Sequence, residues 1–239
     1  MNGFVIAGTN SGCGKTTITM GLLALLAKHG YKVAPFKAGP DFIDPAFHAR
    51  VAKTKSYNLD QFLMSTETIQ HLYVKHSVGK DVAVVEGVMG LYDGMGDDAV
   101  GSTAQLSKSL QLPVVLVVNC KSLYQSVAAI VKGFASFDTD LNVAGVILNH
   151  VNSADSFAFL KNYIEKQTGV KCIGYLSTNQ DFALESRHLG LVQANEIDQF
   201  ETKVENLVSV LEITIDLDMI VRIASTAPQI TSIIACEQT

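Results

Sequence analysis

The residues Gly8-Thr9-Asn10-Ser11-Gly12-Cys13-Gly14-Lys15-Thr16 stand between an apolar run at 4–7 and a helix-like stretch at 18–29. This pattern reads as a phosphate-binding loop. Glycines let backbone N–H groups turn in on phosphate oxygens, and the start of the following helix adds its positive dipole end. Lys15, expected as a solvent-facing loop charge, would neutralise the outer phosphates, and Thr16 would offer its hydroxyl to Mg²⁺. Thr9, Asn10, Ser11, Gly12, Cys13, Gly14, Lys15, Thr16 and Thr17 are therefore the expected nucleotide-binding residues. In the common form of the motif a glycine stands five residues before Gly14. Here that place holds Thr9, and the glycine is Gly8. No second lysine stands in the loop, which disfavours the partition and septum-site switch ATPases.

Carboxylates recur where strands should end. The run Asp81-Val82-Ala83-Val84-Val85-Glu86-Gly87 is apolar up to Glu86, and an acid at the carboxyl end of a parallel strand faces the ligand crevice. Glu86 is read as a metal or water ligand. Lys37-Ala38-Gly39-Pro40-Asp41-Phe42-Ile43-Asp44-Pro45 brings a lysine and two carboxylates to the same edge, a set suited to Mg²⁺ and an anionic substrate. Asp44 has a competing role as the cap of a helix opened by Pro45, whereas Asp41 has no such alternative. Lys37 is either part of the site or a solvated strand end. The segment Gly87-Val88-Met89-Gly90-Leu91-Tyr92-Asp93-Gly94-Met95-Gly96-Asp97 is too rich in glycine for ordinary turns, and Asp93 is the candidate within it. Asn149, ending an apolar run, either reads an adenine edge or caps the strand. His150 and His188 have no metal-ligand spacing to a second His or Cys.

These residues need a scaffold. Short β-branched runs at 4–7, 32–36, 82–85, 114–118, 143–148 and 171–175 alternate with helical stretches at 15–29, 45–52, 65–76, 103–110, 123–137 and 154–168. Further helices are expected at 197–211 and 217–224. Alternation of this kind predicts an α/β, P-loop nucleotide-binding fold, a mostly parallel β-sheet with helices on both faces. The 239 residues are 48% hydrophobic and 17% charged, enough for one sizeable core. A net charge of −5 without a basic cluster argues against nucleic acid and anionic membrane as partners. The four cysteines form no CxxC pair, and the longest apolar run, 112–118, falls far short of the roughly 20 residues that span a bilayer. A cytoplasmic location follows as the expectation, with monomer and homodimer both open.

The segments GTNSGCGKT, FKAGPDFIDP, VVEGVMGLYDG, VKGF, VAGVILNHV and SRHLGLV resemble, in order and spacing, the N-terminal synthetase domain of the cobyrinic acid a,c-diamide synthase family. The resemblance spans residues 1–225, leaving 226–239 as a C-terminal tail. It implies an ATP-dependent ligase: a side-chain carboxylate of a corrinoid or related tetrapyrrole attacks the γ-phosphate of ATP, and ammonia displaces phosphate from the acyl phosphate. ATP and Mg²⁺ are the implied cofactors. Lys15, Lys37, Asp41, Asp44 and Asp93 become catalytic candidates, Asp44 and Asp93 on the carboxylate or ammonia side, while Thr16, Glu86 and Asp41 become metal ligands. Two departures stand out. Val118-Asn119-Cys120 occupies a place where the family carries an acid, and the family's glutaminase domain is absent, since Cys236 has no following histidine. Nitrogen is then expected from free ammonia or a separate glutaminase domain, whether the sequence is part of a longer protein or a synthetase supplied from elsewhere. Dethiobiotin synthetase, with a similar loop and a lysine after its second strand, and a non-catalytic ATP switch are the competing readings.

Overall fold

The computed structural model describes residues 1–97, 99–178 and 199–230. His188, the SRHLGLV segment and Cys236 lie outside them. In chain order the elements are β1 (Gly3–Gly8), α1 (Lys15–Lys28), β2 (Val33–Ala38), α2 (Asp44–Ala52), β3 (Tyr57–Leu59), α3 (Thr66–Ser77), β4 (Val82–Glu86) and α4 (Thr103–Leu110). They continue as β5 (Val114–Asn119), α5 (Ser126–Ser136), β6 (Val143–Asn149), α6 (Ala154–Thr168), β7 (Lys171–Leu176), α7 (Phe200–Thr214) and α8 (Leu217–Ser225). Every expected strand and helix forms, with ends shifted by a few residues at most. β3 was not expected: three residues are too few to show a period, and it exists by pairing with β2.

The seven strands run parallel in the order β3-β2-β4-β1-β5-β6-β7. β1 and β4 are buried at every residue, which explains why they read as unbroken apolar runs rather than alternating ones. One face of the sheet holds a core that includes Val85, Leu91, Leu106, Val127 and Leu160. The other holds Ile6, Ile18, Leu22, Leu26, Leu207 and Leu211. α1 is buried over most of its circumference, because it lies between the sheet on one side and α7 on the other, so its apolar residues do not form a single stripe. Helix starts are fixed by side-chain oxygens. Ser65, Ser102, Ser153 and Asp216 each accept a hydrogen bond from a backbone N–H three residues on.

α7 is clamped to the sheet where its last turn meets β7. Asp216 N–H donates to the Ile173 carbonyl at 2.9 Å, and Gly174 pairs with Ile215. A Cβ on Gly174 would collide with the Thr214 carbonyl and the Ile215 backbone. Backbone cannot swing aside as a side chain can, so we expect Gly174→Ala to destabilise the fold by about 1–3 kcal/mol. Gly133 in α5 faces open space, and Gly133→Ala is expected to stabilise by about 0.5–1 kcal/mol. Denaturant midpoints of the two variants, measured side by side, check both signs.

Candidate active site

The topology reverses at β1, which has β4 on one side and β5 on the other. Ligand crevices of open parallel sheets lie at such a point, outside the strand carboxyl ends. The loop from Gly8 to Gly14 leaves β1 there and turns into α1. Its displaced glycine has a local cause: a Cβ on Gly8 would strike the Cys13 thiol and the stem of Lys15, both folded back beneath the loop. Gly14 has φ 102°, and a Cβ there would overlap the Asn149 amide.

Asn149 holds this loop from below. Its Nδ2 donates to the Cys13 carbonyl at 2.9 Å, and its Oδ1 accepts from His150 N–H at 2.9 Å. The amide considered for an adenine edge is engaged with the phosphate loop in this structure. Cys13 points into the core, and the hydroxyl and amide of Thr9 and Asn10 bond within the loop. Lys15 is not the solvent-facing charge expected of it. Only 8% exposed, it donates from Nζ to the Asn10 carbonyl at 3.2 Å and the Met89 carbonyl at 2.5 Å. Those two carbonyls hold the ammonium over the loop at the height where phosphate oxygens would replace them.

The centre of the site is a buried charge cluster. Lys37 Nζ donates to Asp44 Oδ2 at 2.6 Å, to Glu86 Oε1 at 3.0 Å and to the Gly87 carbonyl at 3.1 Å. Thr16 Oγ1 donates to Glu86 Oε1 at 2.8 Å and lies 3.5 Å from Asp44 Oδ2. Lys37 is thus no solvated strand end. Burial alone would lower the Lys37 pKa, but Glu86 and Asp44 outweigh it and raise the value. Burial likewise opposes ionisation of Glu86, yet Lys37 and His48 hold its pKa well below the usual carboxylate range. Asp44 goes the other way: burial and the neighbouring Glu86 charge raise its pKa despite Lys37.

Of the two acids in the Asp41–Asp44 segment, the one read as having no capping role takes one, and Asp44, read as cap or site residue, stands in the site. Asp41 Oδ1 accepts from Ile43 N–H at 2.8 Å and Asp44 N–H at 3.0 Å, so it is Asp41 that satisfies the start of α2. Asp44 opens that helix without capping it and turns its carboxylate to Lys37. Asp41 keeps a looser tie to the cluster, its Oδ2 lying 3.9 Å from Lys37 Nζ. Asp93 accepts from Gly90 N–H at 2.8 Å, folding its own loop. His48 was missed. Fully buried, its Nε2 lies 2.6 Å from Glu86 Oε2 and its Nδ1 3.4 Å from Ser56 Oγ. Its signal was available: Asp44 and His48 are four residues apart on one helix, hence on one face. Of the candidates, Ser11, Gly12, Gly14, Lys15, Thr16, Thr17, Lys37, Asp41, Asp44 and Glu86 line one cavity of about 560 Å³.

The donor set suits a hard cation. Thr16 Oγ1, Asp44 Oδ2 and Glu86 Oε1 converge as oxygens alone, while His48 orients Glu86 through its other oxygen. Among the described residues no group of three or more His, Cys, Asp or Glu side chains is arranged as a metal cage. Magnesium needs none, since one or two carboxylates and substrate phosphates complete its shell. Among the described residues, burial pushes the Cys120 and Cys172 thiols up to about 12, away from the thiolate form that reacts.

A family profile described as "CobQ/CobB/MinD/ParA nucleotide binding domain" matches residues 4–192. The chain belongs to this family. Cobyrinate a,c-diamide synthase of Streptococcus sanguinis is 46% identical over 220 residues, covering 91% of this chain and 49% of that protein. The Listeria monocytogenes serotype 4b protein of the same name is 44% identical over 233 residues, 97% of this chain and 52% of its own length. The one from Methanobrevibacter smithii is 42% identical over 229 residues, 95% and 51% respectively. The chain therefore spans about half the length of these relatives. Among solved structures, the MinC:MinD cell division complex of Aquifex aeolicus aligns with a TM-score of 0.54 at 15% identity, over 97% of this chain and 98% of that one. Chloroplast FtsY of Physcomitrella patens gives 0.53 at 16%, over 86% and 64%. At these identities the likeness is one of fold. No described helix is long and apolar enough to cross a membrane.

Two substitutions separate the paired acids. Asp41→Ala is expected to cost about 0.5–2 kcal/mol of stability through the lost cap, and Asp41→Asn much less. Asp44→Asn should depress ATP turnover and also lower the melting temperature, because it takes one carboxylate from the buried Lys37 pair rather than a cap. Thermal melts beside a phosphate-release assay decide, and normal turnover in Asp44→Asn would leave Asp44 outside the active site.

Glu86 answers to a different rule. Removing one partner of a buried ion pair strands the other, at roughly 3–5 kcal/mol. Glu86→Gln is therefore expected to unfold at markedly lower denaturant than the wild type, with Lys37 left facing Asp44 alone among its carboxylate partners within 3.0 Å. An unchanged midpoint would mean that the Lys37–Glu86 pair contributes nothing to the fold.

Proposed function

We propose that residues 1–225 form an ATP-dependent synthetase domain that amidates the a and c side-chain carboxylates of cobyrinic acid, or a closely related tetrapyrrole, in cobalamin biosynthesis. The observation that carries this reading is the meeting of Lys15, Thr16, Lys37, Asp44 and Glu86 in one cavity at the phosphate loop. The name borne by relatives matching more than nine-tenths of the chain supplies the substrate. Atoms balance in two steps. A substrate carboxylate oxygen attacks the γ-phosphorus of ATP and ADP leaves; ammonia then attacks the acyl carbon, phosphate leaves, and a proton is shed from nitrogen.

The protein's part is positioning and charge neutralisation, which dominate phosphoryl-transfer catalysis. Lys15 and the α1 N-terminus hold the outer phosphates. Lys37, kept protonated by its carboxylate neighbours, stabilises negative charge gathering between the γ-phosphate and the incoming carboxylate. Thr16, Glu86 and Asp44 would hold Mg²⁺, which when bound adds neutralisation across the phosphate oxygens. Asp41 fixes the start of α2, so that Asp44 and His48 keep their places. Nitrogen arrives as free ammonia or from a separate glutaminase domain. The free, buried state of Cys13, Cys120 and Cys172 suits a reducing cytoplasm.

Mass spectrometry of cobyrinate incubated with the chain, Mg-ATP and ammonium is expected to register one or two acid-to-amide conversions. Lys15→Ala should lower that rate by about 100-fold or more. Conversion of diaminopelargonate in place of cobyrinate would favour the dethiobiotin synthetase alternative. ATP binding without turnover on either acid would favour a nucleotide switch.

A further inference from the structure

Five large apolar side chains that the reaction chemistry leaves unused stand in three loops beside the charge cluster. Phe42 follows β2, Phe62 and Leu63 follow β3, and Met89 and Met95 follow β4; all are between 44% and 86% exposed. They make up half of the exposed large hydrophobic side chains among the described residues. Their loops are tied together. Gly39 N–H donates to the Leu59 carbonyl at 3.0 Å, and Asn58 Nδ2 donates to the Asp41 carbonyl at 2.7 Å. The Phe62 ring occupies the space a side chain at Gly101 would need, and Met95 pairs with Val100 just before that glycine. Met89 joins this surface to the site, since its carbonyl accepts from Lys15 and it lines the same cavity. Contiguous exposed apolar surface beside polar groups marks a binding face.

We infer that Phe62, Leu63, Met89 and Met95, with Phe42 at their margin, form an open shelf that takes the flat apolar face of the tetrapyrrole ring, leaving one acid side chain to enter the cavity at Lys37. This rests on the substrate class proposed above. A cavity of about 560 Å³ that must also admit a triphosphate is too small for the ring, so the ring lies outside it. The opposite flank of the phosphate loop carries a second cavity of about 460 Å³ lined by polar and apolar side chains together, Lys121, Ser122 and His150 with Leu123, Tyr124 and Val151, and none of the carboxylates or Lys37 reaches it. Among the described residues, the β2–β4 flank is the one that joins exposed apolar area to the Lys37–Asp44 pair. Another folded domain seated on the five side chains would roof the cavity and shut the carboxylate out. Met and Leu are unbranched at Cβ and adaptable, suited to a ring that must be re-seated when a second carboxylate reacts.

The test is a titration of the purified chain with hydroxocobyrinate, followed by tyrosine fluorescence quenching, beside calorimetric titration with Mg-ATP. The triple variant Phe62→Ser, Leu63→Ser, Met95→Ser is expected to raise the cobyrinate Kd by about tenfold or more and leave the ATP Kd unchanged. Leu63→Met with Met95→Leu should restore wild-type affinity. If the triple variant fails to fold, Leu63→Ser alone takes its place, with an expected rise in cobyrinate Kd of a few fold. An unchanged cobyrinate Kd in a folded variant overturns the shelf while leaving the ligase reading intact. Wild-type chain that binds ATP but no cobyrinate overturns both.

Discussion

The Lys37–Glu86 contact is the interaction on which the rest of the site depends, and sheet register creates it. Lys37 on β2 and Glu86 on β4 are direct partners across parallel strands, Glu86 the last residue of β4 and Lys37 one before the end of β2. Opposite charges paired inside a sheet fix the alignment as firmly as any apolar residue does. A slip of one residue would send one of them to the opposite face and strand both. From that pair the other members take their places. Thr16 reaches Glu86 from the first turn of α1, His48 reaches it from α2, and Asp44 closes on Lys37 from the start of the same helix. Four elements, β2, β4, α1 and α2, are thereby locked to one another by a single carboxylate and a single ammonium.

Much of this was legible in the sequence where a period or a run carried the information. Strands buried on both faces announce themselves as apolar runs, so β1, β4 and β5 were clear, and Glu86 stood out because a charge ended such a run. What stayed hidden depends on partners remote in sequence. By spacing Asp44, directly before Pro45, is the plausible cap, and Asp41 is not. Which one caps is decided by Lys37, whose ammonium draws Asp44 away from the helix start and leaves Asp41 to serve it. The burial of Lys15 was illegible for the same reason, since Met89, the residue that roofs it, lies seventy-four positions later. Asn149 shows a third kind of blindness. Its amide type told that it would make hydrogen bonds, but only the meeting of β6 with the phosphate loop told with what.

The backbone around Met89 bears on how the site responds to a nucleotide. Met89 has φ 50°, a left-handed conformation that a side chain of its kind seldom adopts. Its neighbours hold it there: Val88 exchanges hydrogen bonds with Thr103 Oγ1, Gly90 N–H donates to Asp93, and Leu91 N–H donates to the Gly8 carbonyl. The loop after β4 is thus strapped to α4 on one side and to β1 on the other, with the Met89 carbonyl aimed at Lys15 between them. Phosphate oxygens arriving at Lys15 compete with that carbonyl, and the strain at Met89 makes the competition easier. Asp93, chosen for chemistry, earns its place here as a strut.

A fold built for stability alone would not contain this cluster. Burying ions is expensive, and apolar side chains of equal volume in such positions often hold a protein together as well or better. The directions of the shifts show what the expense secures. Two carboxylates share one lysine, and they are driven apart: Lys37, His48 and Thr16 favour the charge of Glu86, while burial and the neighbouring Glu86 charge disfavour that of Asp44. Groups whose surroundings separate their affinities for the proton are the ones that divide labour in catalysis. Glu86 is the permanent anion that anchors Lys37 and suits a divalent cation. Asp44 is the carboxylate whose charge burial and the neighbouring Glu86 oppose. The asymmetry has several causes: Lys37, His48 and Thr16 together hold Glu86 as the anion, while burial and the Glu86 charge beside it work against ionisation of Asp44.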